Sequence, residues 1–427
     1  MTTSRIAGWL LLGMVLLSVL HGLNPYTPRL FAGIAAWGAG LLLVSRLKGL
    51  QRTQTLIMFL IGLTGLLYGL FTAQQAQIEK AIATNQALLA MLTAVSFLRL
   101  VTLPAADKAE KTPIGTGALW RTLLGVHLFG AVINLSAVMI LGDRQSAKQP
   151  LTPLQATVLS RGFALASHWS PFFAAMGIAL TNAPGSRLIT LSSVGLPVTL
   201  LALLVTGWTL TRKPEAKQFI GYPMHFDALW IPGLLASAVL LLHQLQQDIP
   251  ILTLIALLSL GLTLSLLLIR YRTAGIGKFI GHIETNLPGM SGELCLFLAA
   301  GVLAAGISTV IATSGIDITL AQFGALEATY LLFAMVAISV VGVHPVISIA
   351  TAGGIFAPLV SDPNLLGITF LMTWALGVST SPFSGMHLGM QGRFNIDSRN
   401  FIRWNGGFTL FMLVVDTLVL HLYAALG

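Results

Sequence analysis

The sequence predicts an all-α polytopic membrane protein made of two inverted repeats with re-entrant hairpins and interrupted helices, and about 11 spans. Three observations support this: the composition, an internal repeat and the distribution of positive charge. Hydrophobic residues make up 55% of the 427 residues, and charged residues only 9%. Soluble domains carry about 25% charged residues, and long apolar runs are typical of spanning helices.

One short motif occurs twice, half a chain apart. Residues 162–172 read GFALASHWSPF and residues 373–383 read TWALGVSTSPF, with five of eleven positions identical, including the final Ser-Pro-Phe. Proline lacks a backbone N–H and cannot continue a helical ladder, so each copy predicts a helix interrupted inside an apolar stretch. Paired interrupted helices line the substrate site in transporters built from two repeats.

The positive charges predict the orientation of the spans. We place spans at 7–23, 29–45, 54–72, 85–103, 187–210, 226–243, 249–269, 290–310 and 404–425, interrupted helices at 151–182 and 365–392, and entry-and-return segments at 118–141 and 322–360. With the N-terminus in the cytoplasm, 19 Lys and Arg residues lie on the cytoplasmic side and 3 outside. This asymmetry follows the positive-inside rule. The net charge of +9 therefore does not indicate a nucleic-acid partner. We expect the chain in the inner (plasma) membrane.

The same placement gives the domain organisation. We predict an extra N-terminal transmembrane helix at 1–25, a first repeat at 26–210, a cytoplasmic linker at 211–225 and a second repeat at 226–427. The first repeat begins outside and the second inside, so the two are inverted. The entry-and-return segments turn polar at 134–136 and at 342–345, and these tips share the spacing of about 210 residues that separates the Ser-Pro motifs.

The interruptions and the hairpin tips supply the candidate site. Backbone that leaves the helix within a bilayer must face a ligand, water or other protein groups. The N-terminus of a half-helix favours an anion, and hydroxyl and imidazole groups add donors. The candidate substrate- or ion-binding residues are Asn134, Ser136, His168, Ser170, Pro171, His344, Pro345, Ser348, Ser379, Thr380, Ser381 and Pro382. The competing interpretation is that the prolines only kink helices and the hydroxyls bond the preceding turn.

Two charged residues lie inside predicted spans. Arg161 either binds an anionic group or extends to the cytoplasmic surface. Asp416 in the last helix has a candidate proton role, and we expect it to lie away from the repeated motif. We expect no Asp or Glu near the site, which favours an anion over a cationic substrate. No spacing typical of a metal site or of a phosphate loop occurs, so neither a metal nor a cofactor beyond a coupling ion is predicted.

In layout the chain resembles the ion transporter superfamily, as a divergent member similar to carboxylate and divalent-anion symporters. The resemblance covers nearly the whole chain: two repeats, each with a hairpin and a helix unwound at mid-membrane. In those symporters the hairpin tips carry Ser-Asn-Thr, and Asn134 and Ser136 are chemically similar to that motif. The resemblance implies alternating access, with hairpins and interrupted helices moving against a scaffold, and a homodimer.

Together these features predict a secondary active transporter and not an enzyme. The expected partners are the lipid bilayer and a small anionic solute, foremost an organic carboxylate, with Na⁺ or H⁺ as the coupling ion. Two alternatives stay open. A membrane-embedded enzyme of envelope glycan or lipid metabolism usually needs a sizeable outer loop with catalytic groups, whereas the predicted outer loops are short and nearly uncharged. An ion channel would also explain interrupted helices.

Overall fold

A computed structural model describes residues 2–73, 76–102, 112–147, 149–222, 230–314 and 323–426. These residues form helices joined by short connections. The helices are α1 (Thr3–Leu23), α2 (Arg29–Leu43), α3 (Gly49–Ala73), α4 (Ile78–Ala83), α5 (Gln86–Ser96), α6 (Arg99–Thr102), α7 (Thr116–Ile133), α8 (Leu135–Ser146), α9 (Pro153–Ala164), α10 (Ala174–Asn182), α11 (Leu188–Thr211), α12 (Trp230–Leu245), α13 (Ile251–Tyr271), α14 (Thr273–Gly281), α15 (Ser291–Thr313), α16 (Ala325–Val340), α17 (Pro345–Phe356), α18 (Pro363–Thr380), α19 (Gly385–Phe394) and α20 (Asn400–Leu426).

Among the described residues, ten helical segments are long and apolar enough to cross a membrane, by length and composition. Three shorter apolar helices, α12, α16 and α17, accompany them. The predicted all-helical polytopic fold is confirmed. The span predicted at 85–103 is instead helical from Ile78, with a break before Gln86. Residues 103–111, 148, 223–229 and 315–322 lie outside the described residues. They include Lys108, Lys111 and Lys148, the end of the predicted linker and the start of the span predicted at 226–243.

Both predicted helix interruptions are confirmed. α9 ends at Ala164, a 3-10 turn covers Leu165–His168, and regular helix resumes only at Ala174. α18 ends at Thr380, and α19 begins at Gly385. Each gap contains the Ser-Pro-Phe sequence, whose proline cannot join the helical ladder. Local sequence also fixes where these helices begin: Thr152 and Gln155 form a capping box with Pro153 at N1, and Asp362 caps α18 before Pro363.

Both predicted hairpin tips are also breaks. α7 and α8 meet at Asn134, whose φ is 52°, and α16 and α17 are separated by a turn containing Gly342, whose φ is 116°. Asparagine and glycine are the residues that adopt this left-handed region most readily, so each tip sequence permits the reversal.

Contacts divide the chain into two compact units, and each unit draws on both halves of the sequence. Unit 1 contains Met1–Leu103, Ile231–Ala321 and Ile349–Leu359, and unit 2 contains Pro104–Trp230, Gln322–Ser348 and Val360–Gly427. The predicted repeats are thus each divided between the units. Unit 2 receives both interrupted helices, both hairpin tips and the helix that ends each repeat.

Unit 1 is organised around the packing of α3 against α15. The backbones approach closely at glycines: Gly62 lies against Val302, and Gly306 lies against both Gly62 and Gly65. Small residues at such positions let membrane helices gain van der Waals contact and leave no void. The one cysteine of the chain, Cys295, is buried here as a free thiol.

Unit 2 is organised around α18, which packs against α9, α10, α11, α16 and α20 and against the 3-10 turn at Leu165–His168. The residues of α18 from Leu365 to Thr380 are all buried. The helix that precedes the second interruption therefore lies against the helix that contains the first, and the two repeated motifs belong to one packed body.

Candidate functional site

The first interruption is held open by hydrogen bonds to its neighbours in unit 2. The hydroxyl of Ser170 donates to the carbonyl of Ala131 in α7 and accepts from the N–H of Phe172. The hydroxyl of Ser192 in α11 donates to the carbonyl of Trp169 over 2.8 Å. These bonds satisfy backbone groups that the missing helical ladder would otherwise leave unpaired in the membrane. Ser170 is fully buried, so water cannot replace these hydrogen bonds. They therefore stabilise the break.

Each hairpin tip contacts the phenylalanine of its own interruption. Nδ2 of Asn134 donates to the carbonyl of Phe172 over 3.1 Å. At the other tip, a Cβ added to Gly342 would lie 3.0 Å from the ring of Phe383. Phe172 and Phe383 occupy equivalent positions of the repeated motif. Each hairpin tip therefore lies against the helix break in its own half of the sequence.

The second interruption is organised by a histidine that lies inside α19. Nδ1 of His387 donates to the carbonyl of Ser381 over 2.7 Å, and the imidazole stacks on the ring of Phe401. Because Nδ1 faces a carbonyl, it carries the hydrogen, and Nε2 accepts from the hydroxyl of Ser160 over 2.8 Å. The hydroxyl of Ser384 caps α19 by accepting from the N–H of His387.

A buried arginine completes this network. Nε of Arg161 donates to Oδ1 of Asn405 over 2.9 Å, and Nη2 donates to the carbonyl of Trp404 over 2.8 Å. Nδ2 of Asn405 donates in turn to the hydroxyl of Ser160 and to the carbonyl of Ser379. A continuous chain of hydrogen bonds therefore runs from the guanidinium in α9, through α20, to the carbonyls at the second interruption.

Among the described residues, the hydrogen-bond acceptors that Arg161 contacts are all neutral. Its side chain is 6% exposed, and its guanidinium carbon lies 4.4 Å from the ring centroid of Phe408. Among the described residues, no carboxylate forms an ion pair with it. The expectation that Arg161 extends to the cytoplasmic surface is wrong, since its hydrogen bonds turn it inward. A buried cation without a counter-charge is costly unless something else compensates it.

A carboxyl side chain from the last helix also lies beside the first interruption. Nε2 of His168 lies 3.8 Å from Oδ2 of Asp416 in α20, and their side chains are 1% and 0% exposed. The expectations that Asp416 lies away from the repeated motif and that no carboxylate lies near the site are both wrong. Both expectations compared Asp416 only with other residues of its own helix. Its actual neighbour, His168, lies 248 residues earlier in the chain.

Most of the remaining predicted residues contact groups of their own turn or of a neighbouring helix. The hydroxyl of Ser379 donates to the carbonyl of Leu376, and that of Ser348 to the carbonyl of Pro345. The imidazole of His344 meets the ring of Trp374 edge-on at 5.5 Å, and its Nδ1 accepts from the N–H of Val346. Thr380 and Thr409 share a hydrogen bond between their hydroxyls. Pro171 and Pro382 are buried in the gaps, and Ser136 is half-buried in the first turn of α8.

Sequence reasoning missed four residues of the network: Ser160, His387, Asn405 and Thr409. One available signal was the polar stripe of the last helix, where Asn405, Thr409 and Asp416 recur at helical spacing on one buried face. That stripe marks a face turned to protein and not to lipid. Ser160 follows the buried Thr157 by three residues in α9, which is a weaker form of the same signal. His387 gave none, because Gln391, four residues further along α19, is exposed.

The fold and this buried polar network define a polytopic, all-helical membrane protein with two broken helices in one unit. No family model matches the chain. No curated protein matches it either. Its structure is similar to the crystal structure of the YdaH transporter of Alcanivorax borkumensis, with a TM-score of 0.39 and 16% sequence identity over 100% of this chain and 99% of that chain. A TM-score of this size carries no functional argument, so function is argued from the site alone.

Proposed function

We propose that this protein is a secondary active transporter of a small anion, foremost an organic carboxylate, coupled to Na⁺ or H⁺ by alternating access. The observation that carries the proposal is Arg161. Its guanidinium is buried, hydrogen-bonded to neutral acceptors and linked through Asn405 to the carbonyl of Ser379 beside the second interruption. A bound anion supplies the negative charge that this cation lacks.

The interruptions support the same conclusion. The half-helices α10 and α19 begin four residues after Ser170 and Ser381, and helix N-termini favour negative charge. The hydroxyl of Ser381 accepts from the N–H of Phe383, and among the described residues it has no recorded acceptor for its own hydrogen. It therefore retains a donor for a solute. Ser170, by contrast, uses both functions of its hydroxyl within the protein.

The division into units fits the proposed mechanism. Both interrupted helices, both hairpin tips and the Arg161 network belong to unit 2, so a bound anion and its ligands would travel as one body. We propose that the chain is inserted in the inner (plasma) membrane with its N-terminus in the cytoplasm, and that it forms a homodimer. Mass measurement of the purified protein in nanodiscs tests the dimer.

Uptake into proteoliposomes tests the transport proposal. The probes are ¹⁴C-labelled lactate, gluconate, succinate and citrate, with ³⁵S-sulfate and ³²P-phosphate, each under an imposed Na⁺ or pH gradient. We expect saturable accumulation of at least one organic anion, above the level in protein-free liposomes and competed by the unlabelled anion. Absence of uptake for the whole panel, or gradient-independent flux at channel rates, contradicts the proposal.

A further inference from the structure

We propose that His168 and Asp416 together hold one exchangeable proton, and that this makes the protein a one-proton, one-anion symporter. The inference rests on the proposed function and names its coupling ion. Its basis is the geometry of the pair: Nε2 of His168 faces Oδ2 of Asp416 at 3.8 Å, both side chains are buried, and the two come from different helices of unit 2.

The tautomer of His168 determines what faces Asp416. Nδ1 of His168 lies 3.3 Å from the carbonyl of Leu165, so Nδ1 carries the hydrogen and a neutral ring presents the lone pair of Nε2. Neither Nε2 nor the two carboxylate oxygens of Asp416 has a hydrogen-bond partner within the described part of the chain. Without a further proton, two acceptors face each other away from solvent, which is unfavourable.

One proton resolves this conflict. Placed between Nε2 and Oδ2, it turns the repulsive contact into a hydrogen bond, whichever atom carries it, and the pair then has no net charge. Loss of that proton leaves a net charge of −1 on the pair. The pair therefore has two charge states that differ by one proton. A buried group that takes up and releases one proton in this way can couple transport to a proton gradient.

His127 interacts electrostatically with His168, and the other described titratable groups of these elements are hydrogen-bonded elsewhere or exposed; on α20 itself, Arg403 and His421 are exposed. The helices packed on α20 contribute Arg161 of α9, turned to Asn405, and Glu327 and Tyr330 near the start of α16; α11 and α18 contain no titratable side chain. Glu327 accepts from the N–H of Gly324, and Tyr330 is 66% exposed. Around the 3-10 turn, His127 of α7 is held between Gly162 and the indole N–H of Trp169, and Arg121 of α7 is exposed.

The charges of the pair and of Arg161 then explain symport. Asn405 and Asp416 share one face of α20, about 16 Å apart along its axis. With a monovalent anion and the proton bound, the anion offsets Arg161 and the pair is neutral. With both released, the deprotonated pair offsets Arg161. Only these two states leave the buried site without net charge, and moving a net charge through the bilayer is costly. Binding of one ligand without the other gives a charged, less mobile carrier.

This predicts a distinctive phenotype for Asp416→Asn. Asparagine mimics the neutral, protonated acid, so the loaded carrier remains neutral and continues to exchange external for internal anion. The empty carrier retains the uncompensated charge of Arg161 and cannot return. We expect net proton-driven uptake to fall to the level of protein-free liposomes, whereas anion exchange persists. A purely structural role for Asp416 would reduce both together.

The test uses proteoliposomes that contain a trapped pH-sensitive dye and the anion that the uptake panel identifies. For the wild-type protein we expect one proton to enter with each monovalent anion, with no effect of membrane potential. Asp397→Asn, which removes an exposed carboxylate by the same substitution, serves as the matched control and is expected to behave as wild type. His168→Gln is expected to lose proton-coupled accumulation, as Asp416→Asn does.

Uptake driven by Na⁺ with no proton movement, or proton coupling that survives in Asp416→Asn, overturns this inference and leaves the transport proposal intact. Absence of anion uptake by the wild-type protein contradicts the transport proposal instead. If Asp416→Asn does not give a folded protein, Asp416→Glu and infrared difference spectra take its place. We expect the wild type to show one protonation step, seen as the carbonyl band of a protonated acid or as the bands of an imidazolium paired with a carboxylate, and His168→Gln to shift it. Absence of both signals, or a signal that His168→Gln leaves unchanged, overturns the inference.

Discussion

Nε of Arg161 lies 2.9 Å from Oδ1 of Asn405, and this contact joins two helices that are 244 residues apart in the chain. Asn405 is fully buried. Its Oδ1 accepts from Arg161, and its Nδ2 donates to the carbonyl of Ser379 beside the second interruption. A charge in the first half of the chain is thereby positioned by the last helix of the second half.

Removal of the buried cation is expected to abolish anion binding without unfolding the protein. Arg161→Met eliminates a charge that has no carboxylate partner, so the lost hydrogen bonds are partly offset by the lost desolvation cost, and we expect destabilisation of no more than about 2 kcal/mol. Uptake of the identified anion and thermal unfolding in detergent are the measurements. Arg403→Met, which removes an exposed arginine of α20 by the same substitution, is the control. Normal uptake by Arg161→Met would remove Arg161 from the anion site.

The two motif serines are expected to differ. Ser170→Ala deletes a donor to the carbonyl of Ala131 and an acceptor for the N–H of Phe172, so we expect a loss of stability of about 1–3 kcal/mol. Ser381→Ala is expected to weaken anion binding with a smaller change in stability. Scanning fluorimetry and competition of uptake separate these effects.

Ser193→Ala is the control for the serine pair, because its exposed hydroxyl bonds only the preceding turn of α11. Equal stabilities and equal affinities for Ser170→Ala and Ser381→Ala would contradict the assigned difference.

A methyl group at position 195 is expected to disturb the first interruption. A Cβ at Gly195 in α11 would collide with the carbonyl of His168. Because this neighbour is backbone, the 3-10 turn must shift, at a cost of about 1–3 kcal/mol. We expect Gly195→Ala to lower the unfolding temperature and to impair proton-coupled uptake. Gly407→Ala, where no atom lies within 4 Å, should be neutral or slightly stabilising. Unaltered coupling in Gly195→Ala would show that the turn tolerates displacement.

A bidentate ion pair links the first hairpin to the second half-helix. Nε and Nη2 of Arg393 in α19 donate to the two carboxylate oxygens of Asp143 in α8, over 2.6 and 2.7 Å. Both side chains are substantially exposed, so solvent screens the pair. We expect Arg393→Asp to lower thermal stability at low salt and the double exchange with Asp143→Arg to restore it. The difference should disappear in high salt. A salt-independent loss would indicate a packing effect.

Opposite accessibility of the two hairpin tips is the prediction that tests inversion of the repeats. In a Cys295→Ser background, Leu135→Cys should react with an impermeant maleimide from the cytoplasmic side and Pro345→Cys from outside. Tyr26→Cys and Lys48→Cys, both exposed, provide references for the outer and cytoplasmic sides. Labelling of both tips from one side would contradict the inverted arrangement.

The sequence predicted the helix breaks because their causes are local. Proline at 171 and 382 removes a backbone donor wherever the chain runs, and Asn134 and Gly342 permit a positive φ at the hairpin tips. Which side chains contact each other across helices was not predictable in this way. Arg161 was recognised as an intramembrane charge, but its direction depended on Asn405, which carries no charge and drew no attention.

What the sequence by itself determined is therefore the membrane environment, the helices and the places where they break, since composition, proline and turn residues act within a few neighbours. Only the tertiary structure decided which polar groups meet: His168 with Asp416, and His387 with Ser160. Such contacts join segments more than 200 residues apart, and their identity depends on which faces of α19 and α20 turn toward the first interrupted helix. Side-chain spacing along one helix contains no information about its neighbour, and for that reason the acid beside the first interruption was found only in the folded chain.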